Sequence, residues 1–210
     1  MPRIEREGNT VRLVMLGAAG VGKSALIKRF LHDHFETKYT RTVEELHTLQ
    51  YDTADSGKVR LEILDTSGSY SFPAMRELNI KHSDAFALVY AVDDLESFQE
   101  VGRLHEEILT LKKNALITVV GNKADLTENE GRVLFAADIM PMVGKEWDSS
   151  FVEASSLTGI NTVGVFLALL QHINLPQRLS PVIAKRRANM QRQNLKRKPP
   201  LKKNKSCILS

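Results

Sequence analysis

Cysteine is almost absent from this 210-residue chain: Cys207 is the only one, so no disulfide can close within it. Long apolar runs are missing too. The best candidate, Ala85-Phe86-Ala87-Leu88-Val89-Tyr90-Ala91-Val92, has the length of a strand and falls far short of a membrane-spanning helix. The apolar stretch at 11–21 does not read as a signal-peptide core, because it runs straight into Gly22-Lys23-Ser24 and no cleavage-site pattern follows. Position 2 is proline, which excludes amino-terminal myristoylation. Internal repeats are lacking. Acidic residues are missing from 176–210 altogether, although that stretch holds 11 Lys and Arg.

That last absence divides the chain. The remaining residues carry 18 basic and 25 acidic side chains, a balance of −7 beside a tail of +11, within an overall charge of +4. The tail contains Lys185-Arg186-Arg187, Lys196-Arg197-Lys198 and Lys202-Lys203, with prolines between them. Low hydrophobicity and dense like charge predict disorder over 176–210. A basic tail is solvated, binds nucleic acid or seeks an anionic membrane. Cys207-Ile208-Leu209-Ser210 decides among these. It is a C-a-a-X pattern with serine at X, the arrangement for farnesylation of Cys207.

The most informative stretch is Gly17-Ala18-Ala19-Gly20-Val21-Gly22-Lys23-Ser24, which reads G-x-x-x-x-G-K-S. Glycines let backbone N–H groups turn inward around phosphate oxygens. Lys23 is then placed to reach the β- and γ-phosphates, and the Ser24 hydroxyl to meet Mg²⁺. The apolar run Val11–Leu16 before it reads as a buried parallel strand. Ala25–Leu31 after it has helical periodicity, and a helix starting there points its positive end at the anion.

Along the rest of the chain, strand-like and helix-like segments alternate. Strands are predicted near 46–53, 58–64, 84–92, 116–120 and 150–154. Asp55, Ser56 and Gly57 mark a hairpin turn between the first two. Helices are predicted near 73–80, 95–112, 131–144 and 160–173. Leu95, Phe98, Val101, Leu104 and Ile108 are expected on the core face of the second of these. Alternation of this kind implies a mainly parallel sheet covered on both faces, with ligands at the carboxyl ends of the strands. The glycine loop, Asp65, Asn122 and Ser155 all follow predicted strands and can converge there.

Asn122-Lys123-Ala124-Asp125 reads N-K-x-D. An aspartate carboxylate accepts from N1–H and the exocyclic amine of guanine. Adenine offers neither donor, so the carboxylate is left unpaired and guanine is preferred. Asp65-Thr66-Ser67-Gly68 reads D-x-x-G: Asp65 can support Mg²⁺, and the Gly68 N–H can touch a γ-phosphate. Glu153-Ala154-Ser155-Ser156 offers backbone amides to the guanine O6.

These motifs together resemble the Ras superfamily of small GTPases, and its Ras branch in particular, over about residues 10–175 and on into the lipidated tail. Within the branch, Ser67–Arg76 looks closest to the Dexras/Rhes and Di-Ras groups, which also carry F-P-A-M. The resemblance implies an α/β fold of the P-loop NTPase type, a Ras-like G domain over 11–175, with a six-stranded sheet and helices on both faces. Residues 1–10 would be an amino-terminal extension. GTP/GDP and Mg²⁺ would be bound by Gly17 to Ala25, Phe35, Tyr39, Thr42, Asp65, Gly68, Asn122, Lys123, Asp125, Ser155, Ser156 and Leu157. Phe35 matches the aromatic that packs across the guanine. Ser24, Thr42 and Asp65 would serve the metal, and Tyr39, Thr40, Arg41, Thr42, Val43, Glu44 and Glu45 the effectors. Lys23, Thr42, Gly68 and Ser69 stand at the family's catalytic positions.

Three departures bear on turnover. Ser69 stands where the family has the glutamine that orients the attacking water, and its hydroxyl is too short for that task. Ala19 replaces a glycine, and its methyl crowds the space for an arginine finger and the water-positioning side chain. Ser155-Ser156-Leu157 replaces Ser-Ala-Lys, removing a lysine stem over the base. The expectation is a monomeric, slowly hydrolysing GTPase switch, farnesylated at Cys207 and held to the cytoplasmic face of the plasma membrane, with a minor nuclear pool. It would meet effectors, an exchange factor, a GTPase-activating protein, farnesyltransferase and anionic lipid. A rival of the same fold is a binding module loaded almost permanently with GTP. The N-K-x-D spelling opposes an ATPase, and Cys207 with an acidic domain opposes specific nucleic-acid binding.

Overall fold

The computed structural model describes residues 10–53, 57–68 and 73–173. Six strands form one sheet: β1 (Thr10–Leu16), β2 (Glu44–Thr53), β3 (Gly57–Thr66), β4 (Ala85–Ala91), β5 (Leu116–Asn122) and β6 (Ser150–Glu153). Their order across the sheet is β2-β3-β1-β4-β5-β6. Only β2 runs antiparallel, pairing with β3 from Glu44↔Thr66 to Thr53↔Gly57. The turn expected at Asp55 and Ser56 lies outside the described residues. The other pairings are parallel, with Val14 opposite Leu64 and Phe86, and Val120 opposite Val89 and Val152.

Parallel strands need crossovers, and helices supply them. They are α1 (Lys23–His32), α2 (Pro73–His82), α3 (Leu95–Leu111), α4 (Ala136–Lys145) and α5 (Thr162–His172). Every residue of β4 is buried, as its continuous apolar spelling requires for a strand covered on both faces. On one face Val14, Phe86, Leu88, Val119 and Ile117 pack with Ile80 of α2, Val101, Leu104 and Ile108 of α3, and Val143 of α4. Elsewhere α1 meets α5, where the Phe30 and Phe166 rings stack at 3.9 Å. Burying each such side chain stabilises the fold by about 1.5–3 kcal/mol before entropy is counted.

Two details differ from the sequence expectation. Leu95 is 53% exposed, while Ser97 takes the buried place in the first turn of α3. The predicted stripe advanced by repeated three-residue steps, which drift around a helix of 3.6 residues per turn. Ser97, Val101, Leu104 and Ile108 define the true inner face, and Leu95 lies two residues back from Ser97, on the opposite side. The helix expected near 131–144 begins only at Ala136. A 3₁₀ turn at Glu128–Glu130, capped by Thr127, precedes it. Gly131 then takes φ 94°, and the Val133 and Leu134 amides donate to the Val92 carbonyl, holding the chain extended.

Candidate functional site

The carboxyl ends of β1, β3, β4, β5 and β6 bring the motif residues to one side of the molecule. Gly17 has φ 138°, and a Cβ there would lie 2.1 Å from the Val89 carbonyl oxygen, so this entrance to the loop admits glycine alone. Gly22 caps α1 at φ 96°, and a Cβ would meet the Asn122 amide nitrogen at 2.2 Å. Lys23 opens the helix, where backbone N–H groups lack intrahelical acceptors. Its Nζ donates to the Gly17 and Ala18 carbonyls at 2.9 and 2.8 Å, which bends the loop around the ammonium. Burial, opposed by the nearby Asp65 charge, holds Lys23 down at about 8.

Asp65, next to last in β3, is almost fully buried, and burial raises its pKa above the ordinary aspartate value. Ser24 donates a hydrogen bond to it, and the Ser24 and Thr42 hydroxyl oxygens stand 2.7 Å apart. The Asp65 Oδ1 is buried with no hydrogen-bond partner. A carboxylate oxygen left over beside two hydroxyls fits a hard cation, because Mg²⁺ takes oxygen ligands and keeps its remaining places for water and phosphate. A cation there would also reverse the burial shift of Asp65.

Ala19, Gly20, Lys23, Ser24, Tyr39, Thr42, Asp65 and Gly68 share a cleft of about 710 Å³. Gly68 comes so close to the loop that a Cβ would lie 2.1 Å from the Ala19 amide nitrogen. Tyr39 is 67% and Val43 85% exposed, and Thr40, Arg41, Glu44 and Glu45 face solvent beside them. These residues flank or begin β2, the edge strand whose outer side has no neighbour in the sheet. Ser69 and Cys207 lie outside the described residues.

On the other side, Asn122 is fully buried at the end of β5. Its amide donates to the Val21 carbonyl at 2.8 Å and to the Ser156 hydroxyl at 3.3 Å, and its oxygen accepts from the Ser156 N–H at 3.1 Å. It therefore locks the glycine loop to the β6–α5 loop. Asp125 accepts from the Ser155 hydroxyl, which in turn accepts from the Thr158 N–H at 3.0 Å. That chain fixes the carboxylate's direction. Lys123 has φ 63°, and its Nζ meets both Asp93 oxygens at 3.0 Å. Phe35 is half-buried and Leu157 half-exposed.

Two further residues reach the site without any motif to announce them. Asp93 stands two residues beyond β4, so the strand-end rule alone could have pointed to it. Arg29 donates to the Leu157 carbonyl across 128 residues of sequence, and no local pattern encodes that pairing.

A buried lysine and an under-satisfied carboxylate at the mouth of a glycine loop suit one kind of ligand, a polyphosphate with its cation. The molecule is thus a phosphate-loop nucleotide-binding protein of the α/β class. It belongs to the Ras family, whose model matches residues 12–175. The chain is 37% identical over 185 residues to GTP-binding protein Rhes of Mus musculus and of Homo sapiens, covering 83% of this chain and 69% of theirs. It is 45% identical over 129 residues to Ras-related protein R-Ras of Mus musculus, covering 60% of this chain and 58% of that one.

Proposed function

We propose that this protein is a membrane-anchored small GTPase that binds GTP and GDP and hydrolyses GTP slowly as a signalling switch. The observation that carries the reading is the meeting of two sub-sites on one side of the sheet. The Lys23–Asp65 pair lies at the glycine loop, and the oriented Asp125 lies across the Asn122 lock. Lys23 and the loop amides would hold the β- and γ-phosphates, and Asp125 would accept from the guanine edge. Ser24, Thr42 and Asp65 would hold Mg²⁺, which would supply charge neutralisation to the bound phosphates. Phe35 and Leu157 would flank the base.

Hydrolysis breaks the bond to the γ-phosphoryl group as water attacks, giving GDP and phosphate. Lys23 and the Gly68 N–H stabilise the charge that develops. At position 69 the chain offers a hydroxyl too short to orient that water, so turnover is slow. Residues 38–45 would order around the γ-phosphate and relax once it is lost, presenting Tyr39 to Glu45 to effectors in one state only. An exchange factor and a GTPase-activating protein complete the cycle. Farnesylation of Cys207, with the basic tail against anionic lipid, holds the monomer to the plasma membrane.

The second reading, a module loaded almost permanently with GTP, draws support from Ser69 and from Ala19, whose backbone lies against Gly68. Measuring the nucleotide bound to protein isolated from cells separates the two. Mostly GDP supports the regulated switch, and mostly GTP supports the loaded module.

A further inference from the structure

Arg29 sits in the last turn of α1, well away from the phosphate loop in sequence and with no motif around it. Its side chain is only 18% exposed. One end of its guanidinium donates to the Leu157 carbonyl at 3.2 Å. The other donates to the Asp33 carbonyl at 3.1 Å, and Nε faces the Asp33 carboxylate at 3.7 Å. That Nε is buried and makes no hydrogen bond of its own, so an ion pair at this longer distance is its compensation. Asp33 itself is fixed in the left-handed region at φ 53°, with its N–H bonded back to the Arg29 carbonyl at 3.0 Å.

The planar fork therefore spans two segments. Asp33 begins the connection that carries Phe35, and Leu157 ends the Ser155-Ser156-Leu157 loop. That loop is held from its other side by Asn122, through Ser156, and it orients Asp125 through Ser155. A guanidinium reaches both carbonyls at fixed angles; a lysine ammonium has no such fork. Leu157 offers an exposed apolar side chain, and among the described residues the side-chain hydrogen bond from α1 to this loop is the one its backbone carbonyl accepts from Arg29.

We propose that Arg29 is a positioning residue for the base-binding loop and governs how fast guanine nucleotide leaves. The inference rests on the guanine-binding reading above. Losing Arg29 frees the loop on one side, lets Ser155 and with it Asp125 depart from their fixed direction, and weakens recognition of the base while the phosphate contacts stay intact.

The test uses the full chain loaded with Mg²⁺ and a fluorescent GDP or IDP, chased with excess unlabelled nucleotide. Inosine lacks the exocyclic amine that Asp125 accepts from, so the ratio of IDP to GDP release rates reports on the base contact. Arg29→Ala is expected to speed GDP release about tenfold, the scale of one lost hydrogen bond to a charged group. IDP release should change less, so the ratio falls. Arg29→Lys should restore part of the ratio, and it carries the test if Arg29→Ala does not fold. Equal acceleration of both nucleotides would mean general loosening and would overturn the assignment, as would wild-type release of both. Asp125→Ala, run in parallel, should abolish the ratio. If Asp125→Ala keeps the ratio intact, the guanine reading itself has failed and takes this inference with it. If Asp125→Ala abolishes it while Arg29→Ala matches wild type, only the role of Arg29 is lost.

Discussion

At the scale of single residues, the site works by denying charged groups their water. Lys23 and Asp65 are both pushed toward neutrality by burial, and each is what a polyphosphate and its cation would re-charge. The motif residues were legible in the sequence because their chemistry is local: G-x-x-x-x-G-K-S, D-x-x-G and N-K-x-D each encode a turn at a strand end. Asp93 was within reach of the strand-end rule but carries no motif, and Arg29 was not legible, because it acts through a pairing that exists only once the chain has folded. The first prediction belongs here. Asp125→Ala should weaken GTP binding by about 100-fold or more, since each hydrogen bond to a charged group contributes about 1.5–3 kcal/mol. Competition between GTP and ATP on purified protein checks it, and equal affinity of the unmodified protein for the two would contradict the role of Asp125.

Among the elements, the order of strands and helices was readable from hydrophobic period, and the errors came where period alone misleads. Leu95 joined an apparent stripe that three-residue steps had carried around α3. The start of α4 was displaced because backbone bonds to Val92 hold 133 and 134 extended, a tertiary constraint with no local signature. The inner face of α3 also carries His105, which is almost fully buried and stacks on the Trp147 ring at 4.7 Å, with its Nε2 at 3.4 Å from the Ser149 hydroxyl. Burial lowers its pKa below the ordinary 6.5, against a smaller opposing effect from the Trp147 backbone and Glu106. The fold thus prefers neutral His105, while the unfolded chain takes up a proton near 6.5. The stabilisation is present above that pH and is lost as pH falls below it, by at most about 1.4 kcal/mol per pH unit. Thermal unfolding between about pH 7.5 and 5.5 should show this slope, and His105→Phe, which keeps a ring against Trp147, should flatten it. An unchanged slope in that variant would remove His105 from the account.

On the scale of the whole molecule, the proposed anchor combines charge and lipid. One lipid chain holds a protein to a bilayer only marginally, so a second signal is required. In the proposed anchor, with a single cysteine to modify, the second signal is the basic tail, at about 1 kcal/mol per Lys or Arg near an anionic leaflet. Cys207→Ser should release the protein to cytosol or nucleus. Neutralising Lys196, Arg197, Lys198, Lys202 and Lys203 while keeping Cys207 should move it to internal membranes. Liposome binding should fall with salt and with removal of anionic lipid. Tight, salt-insensitive binding by unprenylated protein would contradict the two-signal account. The proposed switch would be defined by how slowly it turns itself off. A single-turnover assay on the isolated, GTP-loaded protein measures it directly. The rate constant should be no greater than the ~4 × 10⁻⁴ s⁻¹ of Ras, and Ser69→Gln should raise it, less so while Ala19 remains. Hydrolysis by the unmodified protein at a clearly faster rate would contradict the reading of Ser69 and, with it, the slow switch.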